Sequence, residues 1–275
     1  MKSPIKLQNR DFKSTSYLKS IIPRGKIVHS YLFFDGTPEF QLAKENRFVV
    51  AHTNRYVVYE FWQCAIDDPR RIAAFASQLY PIGDEPIWDI LQENWAKYKD
   101  PYLRSGIFFI LNRCSDSGMI ASGKLENSNF NPLAFSHLKS FSIKNFHIQH
   151  DESDDFLSSV DEIKDCDYVL IPAGQHKLNL LDEGMPTGLE ETRVNHRKIK
   201  KWFDSTDKKC VLIYFKNSNV FRNYKNHNLT MIDKCVVSVK FPVCVGMVER
   251  PTTDRCFNIL CAGRAIFLDS DKMYF

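Results

Sequence analysis

Two β-rich stretches decide the fold of this chain: IVHSYLFFDGTP at residues 27–38 and RFVVAHTN at residues 47–54. The first combines β-branched and aromatic residues and runs into an Asp-Gly-Thr-Pro turn, which is typical of a strand that ends in a loop. The second is a similar β-rich run. From Tyr56 to Leu79 the apolar residues follow a helical period, with a new helix start at Pro69. The pattern therefore predicts strand, turn, strand, helix and helix.

Similar patterns predict further helices and strands on both sides of this stretch. Helices are predicted at residues 14–22, 84–112, 151–165 and 190–203. Further strands are predicted at residues 141–148, 167–172, 210–217, 235–240, 243–248 and 256–268. Strands that alternate with helices, followed by a β-rich tail, predict a mostly parallel sheet whose C-terminal edge carries an antiparallel hairpin. On the face of the second helical zone we expect Ile87, Trp88, Ile90, Leu91, Trp95 and Tyr98.

The composition describes an ordinary globular protein. The 275 residues carry 37 Lys and Arg against 33 Asp and Glu, a net charge of +4 that is too small to indicate nucleic-acid binding by itself. The eight cysteines form no CxxC pair and the histidines no metal-ligand spacing, so we expect reduced thiols and no metal site. No apolar run approaches the ~20 residues that span a bilayer. We expect a cytoplasmic protein without membrane contact, or a host-cytoplasmic or virion protein if a phage encodes it.

Several motifs follow one another in a recognisable order. They are ProIleLys at 4–6, LKSIIP at 18–23, FFDGTP at 33–38, HTN at 52–54, LNR at 111–113, AspPhe at 155–156 and DYVLIPAG at 167–174. The ordered set resembles the Dam-like DNA adenine methyltransferases, which transfer a methyl group from S-adenosylmethionine to the exocyclic amine of adenine. The resemblance covers about residues 3–220 and implies a Rossmann-like methyltransferase fold with a helical insert. It divides the chain into a methyltransferase-like α/β domain, residues 1–55 and 140–275, and a helical insert with a recognition-type loop, residues 56–139.

The chain departs from the family's motifs where the chemistry takes place. Asn9, Arg10 and Asp11 stand at the family's GlyGlyLys. Pro38 replaces the second glycine of the cofactor loop, and His52 replaces the carboxylate that grips the ribose hydroxyls. The positions at which the resemblance would still place the cofactor are Phe34, Asp35, Gly36 and Asn54.

The family's AspProProTyr motif is replaced here by Ile171, Pro172, Ala173 and Gly174. In the family this motif accepts a hydrogen bond from the adenine amine, orients a carbonyl and stacks on the flipped base. Losing all three functions could exceed roughly 6 kcal/mol of transition-state stabilisation. We therefore expect no catalysis and no cofactor. The alternative is a divergent active methyltransferase that binds S-adenosylmethionine and takes its acceptor from Asp167 or Asp35.

Cations are concentrated in two places that suit nucleic-acid binding. The late basic helix contributes Arg193, Arg197, Lys198, Lys200 and Lys201, and the recognition-type region at 115–136 contributes Lys124, with Arg113 just before it. A solvated basic helix face and a flexible surface loop are the alternatives. DNA is thus one expected partner. A protein partner or self-association is the other, through the apolar β runs near the C-terminus.

Overall fold

The computed structural model describes residues 3–6, 12–83, 85–118, 120, 124–153, 155–174, 194–232 and 235–241. The strands within them are β1 (Ile27–Ser30), β2 (Phe48–Thr53), β3 (Phe146–His150), β4 (Tyr168–Gly174), β5 (Cys210–Phe215), β6 (Leu229–Ile232) and β7 (Cys235–Lys240). The α-helices are α1 (Phe12–Ile21), α2 (Thr37–Lys44), α3 (Tyr56–Asp67), α4 (Pro69–Leu79), α5 (Glu85–Asn94), α6 (Pro101–Cys114), α7 (Leu133–Lys139), α8 (Phe156–Glu162), α9 (His196–Ser205) and α10 (Ser218–Asn223).

The strands of the described residues form one seven-stranded sheet in the order β3-β2-β1-β4-β5-β7-β6. Strands β1 to β5 pair in parallel, and β7 lies antiparallel between β5 and β6. This confirms the predicted fold class, a Rossmann-like α/β fold with a mostly parallel sheet and an antiparallel C-terminal edge. Because the first five strands are parallel, their last residues share one edge of the sheet, here named the carboxyl edge.

Helices cover both faces of this sheet. On one face, Leu18 and Ile22 of the α1 segment and Leu42 of α2 pack against Val28 and Leu170. On the other face, α8 and α9 contribute Phe156, Leu157, Val160, Ile199, Trp202 and Phe203 to a second apolar cluster. Strands β4 and β5 are buried almost throughout, as expected for parallel strands covered on both sides.

Helices α3 to α7 lie within residues 56–139, and their apolar residues share a core with the sheet. Helices α3, α4 and α6 pack together, and their cluster includes Phe33 and Phe40 of the β1–α2 connection and Ala51 of β2. The segment is therefore joined to the α/β unit by a continuous core. In the part of the chain that the structure describes, no helix has the length and apolar character needed to cross a membrane.

Several details of the sequence-based prediction were wrong, and helices α2 and α10 were not predicted. Trp88 and Leu91 of α5 are buried, but Ile87 and Ile90 are 45% and 56% exposed, so the predicted face was too wide. The strand predicted at 141–148 begins only at Phe146, because Phe141 packs against Phe40 and Trp62, and Asn145 has a φ of 58°. Strand β6 was not predicted, and the runs at 243–248 and 256–268 lie outside the described residues.

Candidate functional site

The loop after β1 reaches the carboxyl edge and starts α2. Gly36 is the N-cap of α2 and has a φ of 71°, a conformation that favours glycine. A Cβ at Gly36 would collide with the ring of Phe40, so the space that the missing side chain leaves is already filled by the protein. Pro38 lies in the first turn of α2, where a proline removes no helical hydrogen bond. This loop thus has structural reasons for both its glycine and its proline.

Two carboxyl groups are buried beside this loop. Asp35 is 7% exposed and accepts a hydrogen bond from the Thr37 hydroxyl. Glu39 is 2% exposed and accepts a hydrogen bond from Ser30 Oγ at 2.6 Å. Burial, together with the nearby Asp35 carboxylate, raises the pKa of Glu39 to about 7. Glu39 therefore changes its protonation near neutral pH inside the fold.

A buried chain of ring nitrogens and a carboxylate links the ends of β1, β2 and β3. His52 Nε2 lies 2.9 Å from His29 Nδ1, and His52 Nδ1 lies 3.1 Å from Asp151 Oδ1. The Tyr31 ring stacks on the His52 ring, with centroids 4.4 Å apart and planes at 13°. His52 is 2% exposed and Tyr31 fully buried, so both ring nitrogens and one ring face of His52 are occupied within the protein.

The electrostatics of this chain of rings favour a neutral His29. Burial lowers the pKa of His29 to about 4, and the neighbouring His52 contributes in the same direction. This arrangement was not predicted, because the spacing of histidines along the chain does not show which of them meet across parallel strands. The only available signal was one histidine near the end of each of two consecutive predicted strands, at residues 29 and 52.

The end of β4 offers no acceptor side chain. Ile171 is fully buried and Ala173 is 8% exposed, and both belong to the apolar cluster under α8 and α9. Gly174 has a φ of 66° and carries no ring. Asp167 was a suggested substitute acceptor, but that suggestion was wrong. Its carboxylate binds the backbone N–H of Ile27 and the ammonium group of Lys26 at the amino ends of the strands, on the opposite edge of the sheet.

These residues do not fit S-adenosylmethionine, the cofactor that the resemblance implies. A ribose-binding side chain at the end of β2 needs free acceptor atoms, whereas the nitrogens of His52 already bind His29 and Asp151. The glycine face that would approach a cofactor is covered by Phe40. The ends of β1 and β2 are therefore packed as core, in the way expected of a protein that does not hold this cofactor.

The remaining positions named for cofactor binding have other contacts. The Phe34 carbonyl accepts a hydrogen bond from Trp62 Nε1 at 2.6 Å, and the Phe34 ring lies edge-on to Phe108. These contacts join the β1 loop to the helical segment. Asn54 follows β2 at the carboxyl edge and is half-buried.

The LNR motif anchors the N-terminal segment. The Asn112 side chain is fully buried; its Oδ1 accepts from the backbone N–H of Lys6 at 2.6 Å, and its Nδ2 donates to the Lys6 carbonyl at 2.9 Å. The Lys6 ammonium group donates a hydrogen bond to the Ser115 carbonyl. Burial lowers the pKa of Lys6, and the positive charge of Arg113 contributes in the same direction. The Arg113 guanidinium group lies close enough to repel the Lys6 ammonium group, and Lys124 forms a surface ion pair with Glu126.

The basic helix α9 runs from the carboxyl edge toward the amino ends of the strands. Its first turn meets the start of α8, where Lys198 pairs with Asp155 at 3.3 Å. Arg197 and Lys201 are exposed. Lys200 pairs with Asp204 and lies 5.5 Å from the Tyr224 ring, so its charge is largely used within the fold. Arg193 lies outside the described residues.

No protein-family model matches this chain, and no curated protein matches it. A function is therefore inferred from the residues and the geometry described above.

Proposed function

We propose that this chain is a methyltransferase-like protein that does not catalyse methyl transfer and binds nucleic acid. The observation that carries the proposal is the packing around His52. It stands at the strand end where a ribose-binding carboxylate is expected, and it is closed in by Tyr31, His29 and Asp151. In doubly wound sheets this edge is where ligands bind, so filling it with protein side chains argues against a small cofactor there.

The sheet supports the methyltransferase-like part of the proposal. A single antiparallel strand inserted between the last two strands of an otherwise parallel sheet is the arrangement of Rossmann-like methyltransferases, and β7 lies in that position here. A fold does not determine an activity, so the loss of catalysis is inferred from the site. The buried Ile171 side chain offers no atom that could accept a hydrogen bond from an adenine amine.

The nucleic-acid part of the proposal depends on exposed cations near the carboxyl edge. Arg197 and Lys198 lie in the first turn of α9, and Lys216 follows β5, whose end is at this edge. Arg222, on the short helix after Lys216, is exposed as well. Cations grouped in this way can contact successive phosphates although the net charge of the chain is only +4.

Titration calorimetry with S-adenosylmethionine tests the loss of the cofactor. We expect no heat of binding at millimolar ligand. Micromolar binding that disappears in Asp35→Ala would overturn this part of the proposal and favour a divergent active enzyme.

A mobility-shift series at increasing salt tests nucleic-acid binding. Replacing Arg197, Lys198 and Lys201 together by Gln should lower the salt slope by about 2 on single-stranded DNA, because each lost phosphate contact contributes roughly 0.7. Replacing the exposed Lys44, Lys99 and Lys139 by Gln makes the same change in net charge elsewhere and should leave the slope unchanged. The absence of any complex at low salt would contradict nucleic-acid binding and favour a role in protein assembly.

A further inference from the structure

Aromatic rings gather at the carboxyl edge where β2 and β3 end. Tyr56 is the first residue of α3, immediately beyond β2, and His150 is the last residue of β3. Their ring centroids are 5.6 Å apart with the planes at 90°, and Tyr59 lies 5.6 Å from His150 and 6.1 Å from Tyr56. Tyr56 is nevertheless 55% exposed. A large ring is thus presented to solvent at the carboxyl edge of the sheet.

The contacts of Tyr56 hold its ring in an orientation in which the ring can stack on a ligand. The edge-to-face contact with His150 and the contact with Tyr59 limit the rotation of the ring, so little conformational entropy remains to be lost on binding. The nearby Glu60 carboxylate raises the pKa of Tyr56, which keeps the phenol neutral at working pH. Glu60 itself is held by Arg104, whose Nε donates to Oε1 at 2.7 Å. The carboxylate beside the Tyr56 ring is therefore itself held in place.

We propose that Tyr56, supported by His150 and Tyr59, is a stacking platform for an unpaired nucleobase. A base offers a π-face to such a ring whatever its sequence, and the phosphates on either side can reach cations at the same edge. Arg55 directly precedes Tyr56, and the first turn of α9 supplies Arg197 and Lys198. The site takes single-stranded nucleic acid, because a base inside a duplex does not expose its face.

Because acidic residues lie on this edge, stacking should contribute more to nucleic-acid binding here than phosphate contacts do. Glu152 and Asp155 are exposed next to β3, and Asp155 already pairs with Lys198. They limit how many phosphates can be bound close to His150. The binding affinity at Tyr56 should therefore depend more on the aromatic ring than on the salt concentration. This inference rests on the proposed nucleic-acid function and names the part of the surface that contacts bases.

Fluorescence anisotropy with three labelled probes tests the platform. The probes are a mixed-sequence single strand of about 12 nucleotides, its duplex, and an abasic strand of the same length. Tyr56→Ala should weaken binding of the single strand roughly 5- to 150-fold and leave binding of the abasic strand unchanged. Tyr56→Phe keeps the ring and should keep the affinity. Phe48→Ala removes a ring that is 50% exposed at the start of β2, on the opposite edge, and serves as the matched control.

The outcomes separate this inference from the proposed function. Salt-dependent binding by the wild type that Tyr56→Ala does not reduce would overturn the platform and leave nucleic-acid binding in place. An equal loss on the normal and abasic strands would also overturn it, because the ring would then act on the backbone. A wild type that binds none of the three probes at low salt would overturn both proposals. Far-UV circular dichroism of each variant establishes that the fold is retained.

Discussion

Glu39→Gln should stabilise this protein at neutral and alkaline pH and leave its stability in acid nearly unchanged. Glu39 is 2% exposed, and its pKa is raised from 4.5 to about 7. The groups that face it are the Ser30 hydroxyl, which donates to it, and the Asp35 carboxylate, which repels it. A glutamine has nearly the same shape and keeps an oxygen that can accept from Ser30, but it cannot ionise.

The magnitude follows from the two pKa values. Below 4.5 the carboxyl group is protonated in both the folded and the unfolded chain, and ionisation costs nothing. As the pH rises through 7, the folded chain must either keep a proton that the unfolded chain has lost or bury a charge. The free-energy cost reaches about 3 kcal/mol well above pH 7, and about 2 kcal/mol of it develops between pH 5.5 and 8.5.

Urea unfolding at these two pH values measures the effect. The free energy of unfolding of Glu39→Gln relative to the wild type should rise by about 2 kcal/mol from the lower to the higher pH. Glu45→Gln is the control, because hydrogen bonding to Lys19 lowers the pKa of Glu45, which is therefore ionised in both states over the whole range. A difference between Glu39→Gln and the wild type that does not change with pH would refute the reasoning.

Two further substitutions test the loop and the N-terminal anchor. Gly36→Ala should cost about 2 to 5 kcal/mol, because it adds a collision with Phe40 to the strain of a positive φ. Gly25→Ala has the same strain at a φ of 77° with no atom within 4 Å, so it should cost only about 1 to 2 kcal/mol, and equal costs in urea unfolding would contradict the packing argument. Asn112→Ala should cost about 2 to 3 kcal/mol, because it leaves the Lys6 backbone groups without their partner. Asn94→Ala removes an exposed hydrogen bond to the Ile90 carbonyl and should change the unfolding free energy by less than about 0.5 kcal/mol; similar losses in both variants would argue against the anchor.

Much of the fold could be predicted from local patterns. The β-rich runs at 27–34, 47–51, 167–172, 210–217 and 235–240 all correspond to strands, and the alternation with helices indicated the parallel sheet. Trp88 and Trp95 are buried, as their positions on the face of the second helical zone predicted. The faces of the helices were less certain. Periodicity places residues on one side of a helix but does not show how wide the covered strip is, so Ile87 and Ile90 were placed on the apolar face of their helix and are exposed.

The candidate site was only partly visible in the sequence. The absence of an acceptor side chain and of a ring at Ile171 to Gly174 could be read directly, since such side chains lack that chemistry in any fold. That Ile171 packs in the core, and that Phe40 fills the space beside Gly36, required the packed structure. Likewise, Asp35 and Asp167 looked like equal candidates until their positions on opposite edges of the sheet were known.

The sequence by itself determined most of the strands and the longer helices, and it showed that residues 171–174 carry no acceptor side chain and no ring, because these depend on neighbouring residues along the chain. Only the tertiary structure decided which side chains meet at the carboxyl edge. His29, His52 and Asp151 are far apart in sequence and are brought within hydrogen-bond distance by the parallel pairing of β1, β2 and β3. The same pairing sets Tyr56 against His150. Parallel strands are joined by long connections, so contacts between their ends follow from the order and register of the sheet, which no local pattern specifies.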